Sequence, residues 1–454
     1  MLIKSRRDFL KIGLKSVSAL SAAGALGKLG QMNAYAQGGS NYRALVCIFL
    51  SGGNDGNNTI IPLNTGVQNY ATYAGARQSL ALPSASLLKV NAVNGDSYGL
   101  HPKLPELQAL YQQGVAAMLA NVGMLVVPIP DATTYKQYNN GSPMLPVNLF
   151  SHSDQSSQWQ NAAPSGLSAS GWGGRMADAV QASSPGAAFP AVVTTGGCGP
   201  FCTGVQTLPT VVPGGGAVPI TGIGNDPAKV TGFNSLLTFD NGLQLVQQAN
   251  GIVTRGNNYV TLLNAQLALA PKLATVFPGT SLGQQLGMIA RIIQVHGGLS
   301  LNRQIFFVNY GGFDTHGDEI NIQSQLLPDL SQAVNAFYAA TVEMGLQQSV
   351  TTFTSSEFGR TLMPNSSGGT DHAWGNHHFI LGGGVKGGDL YGTYPTLKLG
   401  SSLDATGRGT MIPTTAVDQY GATLAKWFGV PAANMAQVFP NIGNFPVSDL
   451  GFLG

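Results

Sequence analysis

The chain has 454 residues, enough to bury a sizeable core, yet only 9% of them are charged, so each remaining acid, base or imidazole carries more information than usual. Its formal charge of +2 is an N-terminal effect: six of the 22 Lys and Arg (Lys4, Arg6, Arg7, Lys11, Lys15, Lys28) and one of the 20 Asp and Glu (Asp8) lie in the first 36 residues, leaving 16 basic against 19 acidic residues. Nothing in that balance supports a nucleic-acid or polybasic membrane contact.

Ser5-Arg6-Arg7-Asp8-Phe9-Leu10-Lys11 is a complete twin-arginine pattern, followed by a weakly apolar stretch from Ile12 to Leu29 and a small-x-small site at Ala34-Tyr35-Ala36. A signal peptide over residues 1–36, cleaved after Ala36, is expected, with the twin-arginine (Tat) translocation machinery as partner and the periplasm or the exterior as destination. Lys15 and Lys28 interrupt the run, which falls short of the ~20 strongly apolar residues of a stable membrane span. Residues 37–454 read as one α/β domain with a helical and loop insertion at about 196–297.

Arg43 to Leu50 is a near-continuous apolar run, as expected of a strand buried on both faces of a parallel sheet. It ends in Ser51-Gly52-Gly53-Asn54-Asp55, where glycines turn the chain and leave Asp55 either at the sheet edge or serving the turn. A helix (Leu104 to Gln113) and a strand (Val115 to Asn121) follow. In Ser151-His152-Ser153-Asp154, Ser151 is a candidate nucleophile with His152 as acid or base, or else a helix cap. Gly171 to Ala182 reads as a helix and Pro190 to Thr195 as a strand. The uncharged loop from Gly196 to Pro227 contains Cys198 and Cys202, spaced for a small disulfide, while Cys47 lies in an apolar strand. Helical periodicity then runs from about Phe233 to Gly297, clearest at Val260 to Leu273 and Leu282 to Val295.

Gln304 to Tyr310 is a second buried-type strand, ending in Gly311-Gly312-Phe313-Asp314-Thr315-His316. After a helix (Leu326 to Leu346), a third strand (Val350 to Thr354) leads into Glu357, Arg360 and a polar loop with Asp371, His372, His377 and His378. A helix from about Thr415 to Phe428 closes the pattern. Three strands thus end in the same way, and in a parallel sheet such ends share one edge, so Asp55, Asp314, His316, Glu357 and His372 can converge. Carboxylates and imidazoles gathered with so few basic partners would repel one another unless a cation sat among them. The oxygen and nitrogen donor set, lacking thiolate, points to a divalent metal: Zn, Mn, Mg or Ca. Arg360 is placed to clamp an anionic substrate oxygen, or else to pair with Glu357.

SRRDFLK, LSGGNDGNNTIIP, HPKLPELQALYQQG, SHSDQ, GFDTH, FTSSEFGRT, GTDHAWGNHHFILGG and VKGGDLYGTYP, in this order, resemble the Tat-exported family called domain of unknown function 1501 (DUF1501), of the alkaline phosphatase-like superfamily. The resemblance implies a three-layer α/β/α sandwich with a mostly parallel central sheet. It also implies a nucleophile region near Ser151 to Ser153 and metal ligands at Asp55, Asp314, His316 and His372. Two departures stand out: Glu357-Phe358 replaces the superfamily's usual Asp-His pair and lacks its imidazole, and the acid-to-histidine spacing of Asp314-Thr315-His316 is short. The resulting expectation is an exported metal-dependent hydrolase of phosphate or sulfate esters, with a small anionic ester as substrate. The alternative is a non-catalytic exported binding or cell-surface protein that keeps this fold.

Overall fold

The computed structural model describes residues 41–454 other than 198, 221, 225, 240 and 241; the expected signal peptide and Cys198 lie outside the described residues. The central sheet is built from β1 (Arg43–Ser51), β2 (Ala116–Gly123), β3 (Val192–Thr194), β4 (Thr210–Val211), β5 (Arg303–Gly311), β6 (Val350–Ser355), β7 (Asn376–Leu381), β8 (Leu390–Tyr391) and β9 (Thr415–Ala416). The helices include α1 (His152–Asn161), α2 (Pro227–Thr238), α3 (Gln244–Leu269), α4 (Ser281–Gln294), α5 (Glu319–Glu343) and α6 (Val417–Phe428). The sheet runs β8-β2-β7-β6-β1-β5-β3-β4, with β9 also pairing with β2. Every pairing is parallel except those of β7, which runs antiparallel to both β2 and β6. A separate antiparallel sheet joins Ile60–Pro62, Leu88–Asn91 and Ser97–Leu100.

β1 shows why its sequence is apolar at every position. Ala44, Val46, Ile48 and Leu50 enter one core with α4, α5 and Pro105–Gln112, while Leu45, Cys47 and Phe49 enter another with Trp159 of α1, Trp172–Ala179 and α6. The strand's two-residue period therefore feeds both faces, giving the expected mixed α/β sandwich with a mostly parallel sheet. Each large aliphatic or aromatic side chain so buried stabilises the fold by about 1.5–3 kcal/mol.

The stretch expected as an insertion divides in two. α2 has no buried residue and α3 has one, Leu263, whereas α4 buries Leu282, Leu286, Ile289 and Ile293 against the sheet and is part of the sandwich. Helix α5 begins seven residues earlier than its periodicity suggests and carries Pro328 inside. Cys202 is disulfide-bonded, and Cys47 is free and buried. No helix among the described residues is long and apolar enough to cross a membrane.

Register fixes the site. Ser51 lies opposite Gly311 of β5, and Phe49 opposite Ser355 of β6, so the three chains leave the sheet side by side at their C-terminal ends. Gly52 (φ +118°) makes this possible, because a Cβ there would sit 2.3 Å from the Asp314 nitrogen.

Candidate metal centre

Four side chains from three segments meet above these strand ends. One ligand-type atom from each of His152, Asp314 and His372 lies within 4.8 Å of the other two. The Asp314 carboxylate is central: Oδ2 is 3.5 Å from His152 Nε2, and Oδ1 is 3.4 Å from His372 Nε2 and 3.1 Å from His316 Nε2. His316 Nε2 also approaches His372 Nε2 at 2.8 Å.

The other ring nitrogen of each imidazole is backed by oxygen. His152 Nδ1 donates to Glu357 Oε1 at 3.0 Å, His372 Nδ1 donates to the Phe150 carbonyl at 2.8 Å, and His316 Nδ1 lies 3.5 Å from Asp371 Oδ1. An Nδ1–H held by an acceptor leaves the lone pair on Nε2, the tautomer a metal requires. His152 Nε2 is buried with no hydrogen-bond partner. An orphaned imidazole nitrogen, beside a second Nε2 and a carboxylate, is a donor set that fits a divalent ion.

The local chain explains how His152 arrives there. It is the first residue of α1, whose cap Ser151 accepts from the Asp154 N–H and donates to Asp154 Oδ2 at 2.6 Å. Asn148 (φ +48°) and Phe150 (φ +73°) turn the preceding backbone through left-handed conformations that non-glycine residues seldom adopt. Gln155 secures the turn by accepting the Phe150 N–H at 2.7 Å, and the Phe150 carbonyl is presented to His372. Phe358 is fully buried and packs against both imidazoles, with ring centroids 4.5 Å from His372 and 4.8 Å from His152. His152 thus stands beside both Glu357 and Phe358.

Electrostatics follow from these partners. The bond to Glu357 raises the pKa of His152 above the ordinary imidazole range, outweighing the opposing effect of burial. Burial lowers His372. Partial burial works against the charge of Asp314, but the Arg360 guanidinium and the neighbouring imidazoles override it and hold the carboxyl below its usual range. The side chain of Asp314 remains 48% exposed and that of His372 21%, so the group is open to solvent.

The structure brings together Asp314, His316 and His372, with His152, which was expected as an acid or base, alongside them. Asp55 is not among them. It is fully buried and paired with Arg77, whose Nη2 also reaches Glu319 Oε1 at 2.8 Å. Burial pushes the Asp55 carboxyl up, while Arg77 and the hydroxyls of Thr315 and Thr370 overcome burial to hold Glu319 down. Glu357 stands behind His152, also accepting the Gly52 N–H at 2.8 Å, so it braces a ligand-type residue without facing the cluster. Arg360 is no open clamp: its buried guanidinium donates to the carbonyls of Gly52, Gly53, Phe313 and Thr370 and to Asp314. Ser151 is occupied in its helix cap. His377 and His378 lie buried in β7, and burial pushes both down to about 3.

Arg77 and Glu319 escaped sequence reading altogether. Glu319 Oε2 accepts from Thr315 at 3.1 Å and from Thr370, residues adjacent to His316 and Asp371, so the buried Asp55–Arg77–Glu319 group ties together the loops that carry the site. Only the rarity of charge in the chain could have flagged them.

No curated protein matches the chain. Among solved structures, similarity is found to the C-terminal periplasmic domain of EcEptC from Escherichia coli, 9% identical, covering 88% of this chain and 85% of that one, with a TM-score of 0.35. The lipoteichoic acid synthase LtaP from Listeria monocytogenes is 6% identical, covering 91% and 81%, with a TM-score of 0.34. The PsFucS1 sulfatase from Pseudoalteromonas sp. is 10% identical, covering 95% and 73%, with a TM-score of 0.32. The model of the family described as protein of unknown function (DUF1501) matches residues 290–416, the segment that carries Asp314, His316, Glu357, Arg360 and His372.

Proposed function

We propose that the chain is an exported metal-dependent hydrolase of phosphate or sulfate esters in which His152, Asp314 and His372 hold one divalent ion, with His316 at its rim. The observation that carries this is the pairing of His152 Nδ1 with Glu357 and of His372 Nδ1 with the Phe150 carbonyl, which leaves both Nε2 atoms directed at Asp314. The nitrogen-rich donor set suits Zn or Mn better than Mg or Ca. Export rests on the twin-arginine pattern at residues 5–11. The ester class rests on the family resemblance. The N-terminal end of α1, which adds partial positive charge beside His152, suits an anionic substrate.

When bound, such an ion supplies Lewis acidity and lowers the pKa of water. The remaining work belongs to the protein. Glu357 and the Phe150 carbonyl fix two imidazoles in their ligating tautomer, and Arg360 locks Asp314 while offsetting its charge. His316 Nε2 stands at the rim, 2.8 Å from His372 Nε2, and Asp371 approaches its other ring nitrogen, Nδ1, at 3.5 Å. Phe358 excludes water from beneath the His152 and His372 rings.

The test is calorimetric titration of chelator-treated protein with zinc and with manganese, followed by assay of the loaded protein on nitrophenyl phosphate and nitrophenyl sulfate. Binding of one ion is expected, lost in Asp314→Ala and His372→Ala, together with ester turnover. Failure to bind either metal overturns the proposal. Binding without turnover of any ester supports the second reading, a non-catalytic exported binding protein, which the commitment of the Ser151 hydroxyl to its helix cap favours.

A further inference from the structure

Two arginines around the metal centre are buried and spent. Arg77 is tied to Asp55 and Glu319, and Arg360 to four carbonyls and Asp314, so neither is free to meet a ligand. Arg408 differs. Its side chain is 46% exposed, and among the described residues its guanidinium makes one polar contact, Nη2 to Asp371 Oδ2 at 2.7 Å. An arginine carries five N–H donors in a fixed fork, so most of those on Arg408 remain available.

Asp371 joins Arg408 to the metal centre. Its Oδ2 takes the arginine while its Oδ1 lies 3.5 Å from His316 Nδ1. The guanidinium is therefore no more than roughly 8–9 Å from that imidazole, one carboxylate and two contacts away. The loop that carries Arg408 is held in place. Asp404 Oδ1 accepts the N–H groups of Gly407 at 2.9 Å and Thr410 at 3.2 Å, while the carbonyls of Arg408 and Gly409 accept from Met363 at 3.0 Å and Leu362 at 3.2 Å. Gly409 (φ +83°) permits this approach, because a Cβ there would lie 2.3 Å from the Leu362 Cβ. Thr361, next to Leu362, donates its N–H to the Asp371 carbonyl at 3.0 Å, so Arg408 and Asp371 are fastened to the same segment.

An ion pair this exposed adds little to stability, and its larger effect is on the charge of the opening. Arg360 offsets Asp314 and Arg408 offsets Asp371, so a divalent ion would leave the opening positive even with the Glu357 carboxylate behind it. Resting on the ester-hydrolase reading above, we propose that the substrate carries a carboxylate beyond the ester being cleaved, and that the available N–H donors of Arg408 receive it. The planar guanidinium matches a carboxylate, which it can hold through two parallel bonds. The ester group has nearer partners in the ion and the N-terminal end of α1. Arg408 is reached past His316 and Asp371, where a distal group of the same molecule would come.

Calorimetric titration of the zinc-loaded full chain with benzylphosphonate and with 4-carboxybenzylphosphonate tests the proposal. These phosphonates cannot be hydrolysed as esters, and they differ only in a carboxylate set across the ring. Wild type is expected to bind the carboxylated ligand at least about tenfold more tightly, and Arg408→Gln to bring the two affinities within about twofold. Because the Asp371 pair is exposed, the variant should fold and load zinc as wild type does. Lys426→Gln, the same loss of charge at the exposed Asp449 pair, should keep the preference. Equal affinities in wild type, or binding of neither ligand, overturn the proposal, as does a preference that survives Arg408→Gln. If zinc itself fails to bind, the hydrolase reading falls, and the same titrations of the metal-free protein still decide for or against Arg408.

Discussion

Glu357 offers the sharpest test of the metal centre, because its carboxylate meets His152 from behind, at Nδ1, and not at the nitrogen that faces Asp314. Its Oε1 accepts from His152 Nδ1 at 3.0 Å and from the Gly52 N–H at 2.8 Å. Glu357→Gln can leave a carbonyl oxygen in the same place, preserving both bonds but removing the charge. Glu357→Leu removes the acceptor, so His152 loses its tautomer lock and the Gly52 N–H is left buried and unsatisfied. Partners of this kind are worth about 10–100-fold in metal affinity, so Gln should weaken zinc binding ~10-fold and Leu ~100-fold, or about 1.4 and 2.7 kcal/mol. Leu should also destabilise the apo fold by about 1–3 kcal/mol through the orphaned amide. Competition calorimetry against a chelator gives the affinities, and urea unfolding of the metal-free proteins gives the stabilities. Unchanged zinc affinity in the Leu variant would refute the idea that Glu357 acts through a ligating His152.

Other outcomes follow from the same contacts. Metal affinity should fall as pH drops through the imidazole range. His152, whose pKa the Glu357 bond raises, should lose its Nε2 lone pair first on acidification, and pH-dependent calorimetry reads this directly. Arg77→Met leaves Asp55 and Glu319 buried without their cation and should cost about 3–5 kcal/mol in urea unfolding; restoring neutrality with Asp55→Asn and Glu319→Gln should recover much of it. Asp418, buried with Oδ2 unpartnered, has its carboxyl pushed up by burial to about 7. Its folded pKa lies above the unfolded one, so its contribution is fully present below about pH 4 and is lost progressively as pH rises to about 7. Asp418→Asn should therefore stabilise the protein at and above neutrality, by on the order of 2–4 kcal/mol, and change little only below about pH 4, where the carboxyl is protonated in both states, as thermal melts at the two pH values would show. Ser151→Ala should cost about 1 kcal/mol by removing the cap of α1; if water is the attacking group, ester turnover by the loaded variant will persist.

The strands were legible because burial on both faces leaves an unbroken apolar run, as in β1 and β5, and the polar residues ending β5 followed from the same pattern. Asp314, His316 and His372 could be picked out because few charged residues compete for attention. Asp55 could not be assigned in this way. An acid after a strand-end glycine serves equally as an ion-pair partner, and its cation, Arg77, lies in the helix Tyr70–Arg77, which no motif distinguishes. Glu357 is ambiguous for a related reason: sequence locates a carboxylate at the strand end without saying whether it faces the cluster or the back of an imidazole. The Phe150 carbonyl was invisible, because a backbone oxygen aimed by a left-handed residue leaves no trace in residue type. The antiparallel course of β7 was hidden too, since its apolar run, NHHFIL, reads the same in either direction.

The order of the central strands has a consequence for the time course of folding. β1 is made first, yet its neighbours on either side begin at residues 303 and 350, so at ~5–20 residues per second the ribosome takes at least about 13 seconds after β1 to deliver β5. During that interval an apolar strand destined for the middle of the sheet has neither partner, and such long-range pairing is slow to form even once the chain is complete. His152 and Glu357, 205 positions apart, can meet only once β6, which leads into Glu357, has been made. Metal capture should therefore be a late event, and pulse-labelled hydrogen exchange should find β1 and the metal-free site becoming protected together.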